Sequence, residues 1–332
     1  MRAVVLDGPG PPEALAVRWV PVPVARRGWV LVRVEAFGLN RSEVYTRLGL
    51  SEGVVFPRVP GIEAVGVVAA CPGLEFDIGH QVAALMGGMG REFDGGYAEY
   101  TSVPVSQVIP FDSTLDWATL GAVPEMLQTA YGCLTLGLDA QPGQSLLVRG
   151  GTSSVGLMTA TLAKRRGMTV FSTTRRLDRL PHLAKAGVDH PLVDDGDIAS
   201  QVRAILPGGV DTALELVGTT TLPDTLRATR IHGVVCYAGA LSSEWLVKDF
   251  KPNAYIPHGV RLTGYGGDAQ NLPPDVFQAF LDDIWEGRVS LRIGGVFSLD
   301  QIAEAHRAMD ANAALGKLVV TVGRTSSFDL EI

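Results

Sequence analysis

The residues with the clearest chemical purpose are Gly150, Gly151, Thr152, Ser153, Ser154, Val155 and Gly156. They follow the apolar run Leu146-Leu147-Val148 and Arg149, and they lead into a helical stretch rich in Ala and Leu. A helix starting there offers unpaired N–H groups and partial positive charge to a pyrophosphate. Gly150 and Gly151 permit a tight turn and close phosphate approach, and Gly156 lets the helix lie against the strand. Ser153 stands where a fully glycine-based fingerprint has its middle glycine, so taken alone the motif also suits an ordinary strand–helix turn. The following strand ends in Phe171-Ser172-Thr173-Thr174-Arg175-Arg176, with no acid before Asp178. An Asp or Glu there would take the ribose hydroxyls; two hydroxyls and two guanidiniums suit a 2′-phosphate instead. The segment therefore predicts NADPH as cofactor, with Arg175 the nearer clamp and Arg176 the one free to face solvent. A solvated basic start to a helix is the plainer alternative.

The elements that must hold these residues read as alternating strands and helices. Strands are expected at Ser145–Arg149, Met168–Thr173, Val188–Val193, Val210–Leu216, Gly233–Ala238 and Val260–Tyr265, with a helix over Ser153–Arg166. Such alternation predicts a parallel sheet covered on both faces. A helical run, Ala118–Leu136, precedes it. The first hundred-odd residues read instead as short β segments (Trp29–Ala36, Val65–Ala70, Gly95–Tyr100) split by Gly and Pro, which is the grammar of a small barrel-like domain. After the sheet come amphipathic helices at Pro274–Gly287 and Leu299–Ala311 and a last strand at Lys317–Val322.

Composition limits the function classes. The chain of 332 residues is long enough for about two domains. It is 46% hydrophobic and 19% charged, which excludes a disordered or coiled-coil chain. A net charge of −7 argues against a nucleic-acid partner or an anionic membrane surface. The most apolar run, Val59–Cys71, is broken by Glu63, so no membrane span is expected, and the start of the chain turns polar too soon for a signal peptide. Cys71, Cys133 and Cys236 form no CxxC pair, which suits a reducing cytoplasm. The six histidines form no close pair and are assigned no chemistry.

The chain resembles the medium-chain dehydrogenase/reductase superfamily, specifically its zinc-free quinone oxidoreductase-like branch. The likeness runs over nearly the whole length. It rests on Asn40-Arg41-Ser42-Glu43-Val44-Tyr45, Val59-Pro60-Gly61-Ile62-Glu63, Asp94 to Tyr100, Pro124 to Ala130, the Arg149–Gly156 turn, Gly209-Val210-Asp211 and Gly316-Lys317-Leu318-Val319-Val320. It implies an α/β protein: a doubly wound Rossmann domain over 118–267 and a GroES-like, β-rich catalytic domain over 1–117, completed by 268–332. In zinc-dependent members a Cys stands where this chain has Asn40 and a His where it has Ile62. The third ligand position falls at Glu125, and no four-cysteine lobe lies between Val82 and Tyr100. One carboxylate does not replace three protein ligands, so no metal is expected.

The resemblance implies reduction of a quinone or an α,β-unsaturated carbonyl compound by hydride transfer, since such a substrate carries its own electron sink. It places Tyr45 on the substrate cleft as a candidate hydrogen-bond donor or proton source, with Asn40 and Arg41 orienting substrate or nicotinamide. It places Thr129, Tyr265 and Gly266 near the nicotinamide, Val217 and Gly218 under the ribose, and Lys317 with the cofactor set. Plainer roles stand beside these: Tyr45 packed, Asn40 capping a helix, Glu125 serving a helix dipole, Lys317 solvated at a strand end. A homodimer is implied, through the strand at Val260–Tyr265. Two other functions stay open, an enoyl-thioester reductase using Arg26, Arg27 and Arg91, and a non-catalytic NADPH-binding regulator.

Overall fold

The computed structural model describes residues 1–312 and 315–323. Of the stretch expected to complete the first domain, 313–314 and 324–332 lie outside the described residues. The chain divides into two compact units, one from Met1–Glu125 with the chain from Asp268 onward, the other Met126–Gly267.

In chain order the first unit holds the antiparallel pair β1 (Arg2–Val5) and β2 (Ala16–Trp19), then β3 (Trp29–Gly38), α1 (Arg41–Arg47), β4 (Glu63–Ala70), β5 (Gln81–Leu85), β6 (Tyr100–Pro104), β7 (Val108–Phe111) and α2 (Trp117–Ala122). Helix α3 (Pro124–Gly132) crosses the division. The second unit continues with β8 (Ser145–Arg149), α4 (Ser154–Arg165), β9 (Thr169–Thr174), α5 (Leu180–Lys185), β10 (His190–Val193), α6 (Ile198–Ile205), β11 (Val210–Glu215), α7 (Leu222–Ala228), β12 (Thr229–Tyr237), α8 (Pro252–Tyr255) and β13 (Arg261–Gly264). The chain then returns to the first unit with α9 (Pro274–Trp285), β14 (Ile293–Ser298), α10 (Ile302–Asp310) and β15 (Lys317–Thr321).

The second unit is a six-stranded sheet in the order β10-β9-β8-β11-β12-β13, parallel at every pairing. Its strands feed two cores by simple alternation. Leu146, Val148, Leu214 and Cys236 pack on one face with Ala160 and Ala163 of α4. Leu147, Ala213 and Val235 pack on the other with Ile198 and Val202 of α6. Successive side chains of a strand point to opposite faces, so a near-continuous apolar run is what a sheet covered on both sides requires. That arrangement is the doubly wound α/β fold.

The first unit is a β-rich domain around a seven-stranded sheet, β14-β15-β3-β4-β5-β7 with β6 also on β3. Here only one strand face is fully buried: Val30, Val32 and Val34 of β3 lie in the core while Leu31, Arg33 and Glu35 are partly exposed. The pairing that closes the chain is β15 antiparallel to β3, Val319 opposite Gly38, which puts the residues around 317 next to those around 40.

Two expected elements differ. The run Ala118–Leu136 is not one helix: Pro124 lacks the N–H that would continue the ladder, so α2 ends at Ala122, α3 starts at Pro124, and Cys133–Gly137 is a wider π-helical turn. The stretch Gly95–Tyr100 is not a strand, although Ala98 makes an isolated bridge to Ala3 and Tyr100 opens β6. Gly95 and Gly96 are pressed onto the backbone of Gly61 and Glu63; a Cβ on Gly96 would lie 2.4 Å from the Glu63 carbonyl oxygen. The alternation read as a strand is a glycine-dependent close approach.

Candidate active site

In the second unit the turn after β8 is built from both of its neighbours. Ser153 caps α4: its hydroxyl accepts from the Gly156 N–H at 3.1 Å and donates to the Gly150 carbonyl at 2.8 Å. A glycine in its place would lose that cap. The glycines make the tight turn expected of them. The Gly150 N–H donates to the Thr173 hydroxyl at 3.1 Å and the Gly151 N–H to the Thr173 carbonyl at 3.0 Å, so both are spent on β9 rather than kept for a phosphate. Gly150 has φ +87°, and a Cβ on Gly151 would sit 1.8 Å from Ser172 Oγ. Gly156 lies where a Cβ would meet Gly151 Cα at 2.8 Å, the close helix packing that its position implied. Among the described residues the N–H groups of Thr152, Ser154 and Val155 have no partner. They stand at the positive end of a twelve-residue helix and fit a pyrophosphate.

Beyond β9, Thr174 is buried and its hydroxyl accepts from the Arg176 N–H at 3.2 Å. The two arginines part company. The Arg176 guanidinium is tied to both oxygens of Asp178, at 3.0 and 2.6 Å, which also occupies that acid. Arg175 is exposed and has no partner among the described residues. A free guanidinium one residue past the strand fits a phosphate on the adenosine ribose.

Three charged or polar groups of this unit were not singled out from sequence. Arg149, fully buried, forks onto both oxygens of Asp194 at 2.7 Å and onto Asp224 at 2.5 Å. Glu215 takes the Val217 and Gly218 N–H groups at 2.7 and 3.1 Å and the hydroxyls of Thr221 and Thr225, which fixes the loop expected under the ribose. Burial pushes its carboxyl above the usual range despite those bonds. Gln128 donates to the Tyr265 hydroxyl at 2.5 Å and accepts from Thr129 at 3.3 Å, so Thr129 and Tyr265 are brought together through it. Gly266 adjoins open space. In each case the sequence signal is a polar residue inside or at the end of an apolar stretch.

In the first unit the structure gathers residues 40, 43, 63, 125 and 317 into one buried cluster. The Lys317 ammonium contacts Glu63 at 2.6 Å, Glu125 at 3.3 Å and the Asn40 side-chain oxygen. The Asn40 amide nitrogen donates to Glu63 Oε1 at 2.9 Å, and Glu63 Oε2 accepts the Glu125 N–H at 2.7 Å at the start of α3. Glu43 accepts the Asn40 N–H at 2.8 Å and the Ile62 N–H at 2.9 Å.

Burial alone would pull the lysine down, but Glu63 and Glu125 outweigh it and hold the ammonium above its usual value. Burial pushes Glu63 up against the pull of Lys317, and pushes Glu43 up to about 7. Unpaired, each of these charges would cost several kcal/mol to bury.

This cluster corrects two expectations. Lys317 is 1% exposed and its amine is engaged by three oxygens, so it is neither a solvated strand-end lysine nor a group that reaches a cofactor. Asn40 does open α1 as a cap residue, and its amide is taken up by Lys317 and Glu63 rather than offered to a substrate. Arg41 is turned elsewhere, onto Asn312 at 2.5 Å. Tyr45 lies on α1 and is 7% exposed. The side chain of Ile62 has no ligating atom, and among the described residues no three His, Cys, Asp or Glu side chains are grouped to hold a metal ion.

The sequence and the fold have counterparts in known proteins. A family model described as alcohol dehydrogenase GroES-like domain matches residues 26–113, and one described as zinc-binding dehydrogenase matches 186–320. The chain is 27% identical over 333 residues to quinone oxidoreductase of Rattus norvegicus, covering 96% of this chain and 97% of that one. It is 26% identical over 331 residues to quinone oxidoreductase of Homo sapiens, with the same coverages. Among solved structures, an NAD-dependent alcohol dehydrogenase superposes with a TM-score of 0.86 at 28% identity, over 97% of this chain and all of that one. A mycobacterial protein complexed with NADPH superposes with a TM-score of 0.84 at 25% identity, over 97% of this chain and 99% of that one. Two family models in the expected order, relatives matched end to end and the paired sheets identify the chain as belonging to the medium-chain dehydrogenase/reductase superfamily, in its quinone oxidoreductase-like branch.

Proposed function

We propose that the protein is a zinc-independent, NADPH-dependent reductase of quinones or α,β-unsaturated carbonyl compounds. The observation that carries this reading is the Lys317 ammonium among the oxygens of Asn40, Glu63 and Glu125. A zinc site needs three or four free ligands. Here the oxygens already surround a cation, and Ile62 contributes none. Without a Lewis acid to hold an alkoxide, the acceptors that remain easy are those that delocalise the incoming charge themselves. The nicotinamide, when bound, supplies the hydride. The protein holds the pyrophosphate on the Thr152, Ser154 and Val155 N–H groups and the 2′-phosphate on Arg175. Tyr45 donates a hydrogen bond to the substrate oxygen as it gains charge. The exposed edge of the sheet at β13 is the surface through which two copies pair.

The reading is tested by steady-state NADPH oxidation with a panel of quinones, enones and enoyl thioesters. Turnover of quinones or enones above thioesters supports it; turnover of thioesters alone, or NADPH binding without turnover of any, overturns it. Activity should survive chelators, and elemental analysis of the purified protein should find zinc well below one per chain. Stoichiometric zinc with chelator-sensitive turnover would refute the metal-free reading.

The cofactor preference has its own variant. A hydrogen bond to a charged group contributes roughly 1.5–3 kcal/mol, so Arg175→Ala should weaken NADPH binding by at least about tenfold and leave NADH nearly unchanged. Added salt should narrow the gap between the two cofactors. Titration of both cofactors by nicotinamide fluorescence decides it. A parent protein that binds NADH as tightly as NADPH removes the basis for the preference.

A further inference from the structure

Helix α1 has only seven residues, too few to be stable by itself. Its place is set at its two ends. At the C-terminal end, Arg47, 1% exposed, forks onto Asp310 at 2.8 and 2.7 Å and donates to the Gly10 carbonyl at 3.0 Å. At the N-terminal end every polar group of the Asn40 side chain is committed, its nitrogen to Glu63 and its oxygen to Lys317, while its N–H is held by Glu43. One ammonium thus ties β15 to the cap of α1, to β4 and to the first turn of α3. If it is removed, the Asn40 oxygen loses the donor it has here and the buried carboxylates of Glu63 and Glu125 lose their counter-charge, and a half-satisfied buried polar network does not hold its geometry.

We infer that Lys317 is a positioning residue for the reaction. Its buried ammonium fixes the Asn40 amide, and through it the register of the helix that presents Tyr45. The inference rests on Tyr45 as the group that meets the substrate oxygen, and it makes the internal cation a working part of the site although it never touches substrate. A shift of about 1 Å in a reacting group lowers the rate by roughly a hundredfold, which sets the size of the effect expected.

The test is Lys317→Ala, with n-propylammonium supplied in solution to restore the three carbons and the amine that alanine lacks. Measured well below the variant's melting temperature, kcat should fall by about a hundredfold, while NADPH binding, seated on the other unit, should stay within about twofold. Propylammonium should raise both kcat and the melting temperature of the variant in a saturable way, and do neither to the parent. Tetramethylammonium, charged but without N–H groups, should do neither to either. Unchanged kcat in the folded variant overturns the inference, as does recovery of the melting temperature without recovery of kcat.

Should Lys317→Ala not fold, Lys317→Met with Glu63→Gln removes both charges at nearly constant volume. Its kcat should be low, and Tyr45→Phe added to it should cost far less than Tyr45→Phe in the parent, because the two act through one position. Additive losses overturn the coupling. Tyr45→Phe in the parent reports separately on the reading beneath it: no effect there removes the role of Tyr45.

Discussion

Tyr45→Phe is expected to lower kcat by about a hundred- to a thousandfold while leaving the affinity for NADPH almost unchanged. Hydride addition to a quinone or enone puts a full negative charge on the substrate oxygen, and a preorganised donor meets that charge more strongly than it meets the neutral carbonyl. Losing one such donor costs about 2.7–4 kcal/mol in the transition state. Tyr45 has the features of such a donor: it is buried at 7% exposure, it sits on a helix fixed at both ends, and phenylalanine keeps its packing. NADPH affinity should hold because the groups proposed to hold its phosphates, at residues 152, 154, 155 and 175, belong to the other unit. Steady-state kinetics over several quinones and enones, with cofactor titration on the same samples, gives both quantities. If kcat is unchanged across the panel, the hydroxyl belongs to packing and another group meets the oxygen.

The parts of this protein that were legible in the sequence are those written locally. Val148-Arg149-Gly150-Gly151 followed by an Ala-rich run fixes a strand, a turn and a helix within twenty residues, and the structure has all three. The alternation of Leu146, Leu147 and Val148 between two cores follows from strand geometry alone. The buried cluster is different in kind. Its members are separated by as many as 277 residues, Asn40 to Lys317, and only the pairing of β15 with β3 brings them together. No local pattern could show that Lys317 is enclosed.

One trace was nevertheless present. Glu63 interrupts the most apolar run of the chain, and a carboxylate in such a run is either at the surface or paired inside. The same logic applies to Arg149 after Leu-Leu-Val and to Glu215 after Ala-Leu, both buried and both satisfied by several partners. Gly95 and Gly96 misled for the opposite reason. Their period of two mimics a strand, while their lack of side chains serves contact with the backbone of Gly61 and Glu63.

Arg149→Met should destabilise the second unit by about 3–5 kcal/mol, the usual cost of breaking a buried ion pair by removing one partner, with Asp224 keeping only the mostly exposed Arg227 at 3.1 Å. The guanidinium is fully enclosed and answers two carboxylates that are themselves nearly enclosed, with Asp194 and Asp224 side chains 9% and 6% exposed. Each carboxylate does further work: Asp224 accepts the Ile198 and Ala199 N–H groups at the head of α6, and Asp194 accepts the Gly196 N–H. Arg149 thus clips the turn after β10, the start of α6 and α7 onto the last residue of β8, immediately before the glycine turn. Methionine fills the space and donates nothing, so the loss is electrostatic rather than a cavity. For a unit of this size the melting temperature should fall by roughly 10 °C. NADPH should recover part of it, since a ligand that binds only the folded unit stabilises it by RT ln(1 + [L]/Kd). The companion variant Arg149→Met/Asp194→Asn/Asp224→Asn removes all three charges while keeping an acceptor for the α6 N–H groups. Because neutral replacement of a whole buried ion cluster is often harmless, it should melt well above Arg149→Met alone. Calorimetry of the three proteins with and without NADPH checks this. A single variant as stable as the parent, or a triple variant no better than the single, would mean that the clip does not hold the unit together.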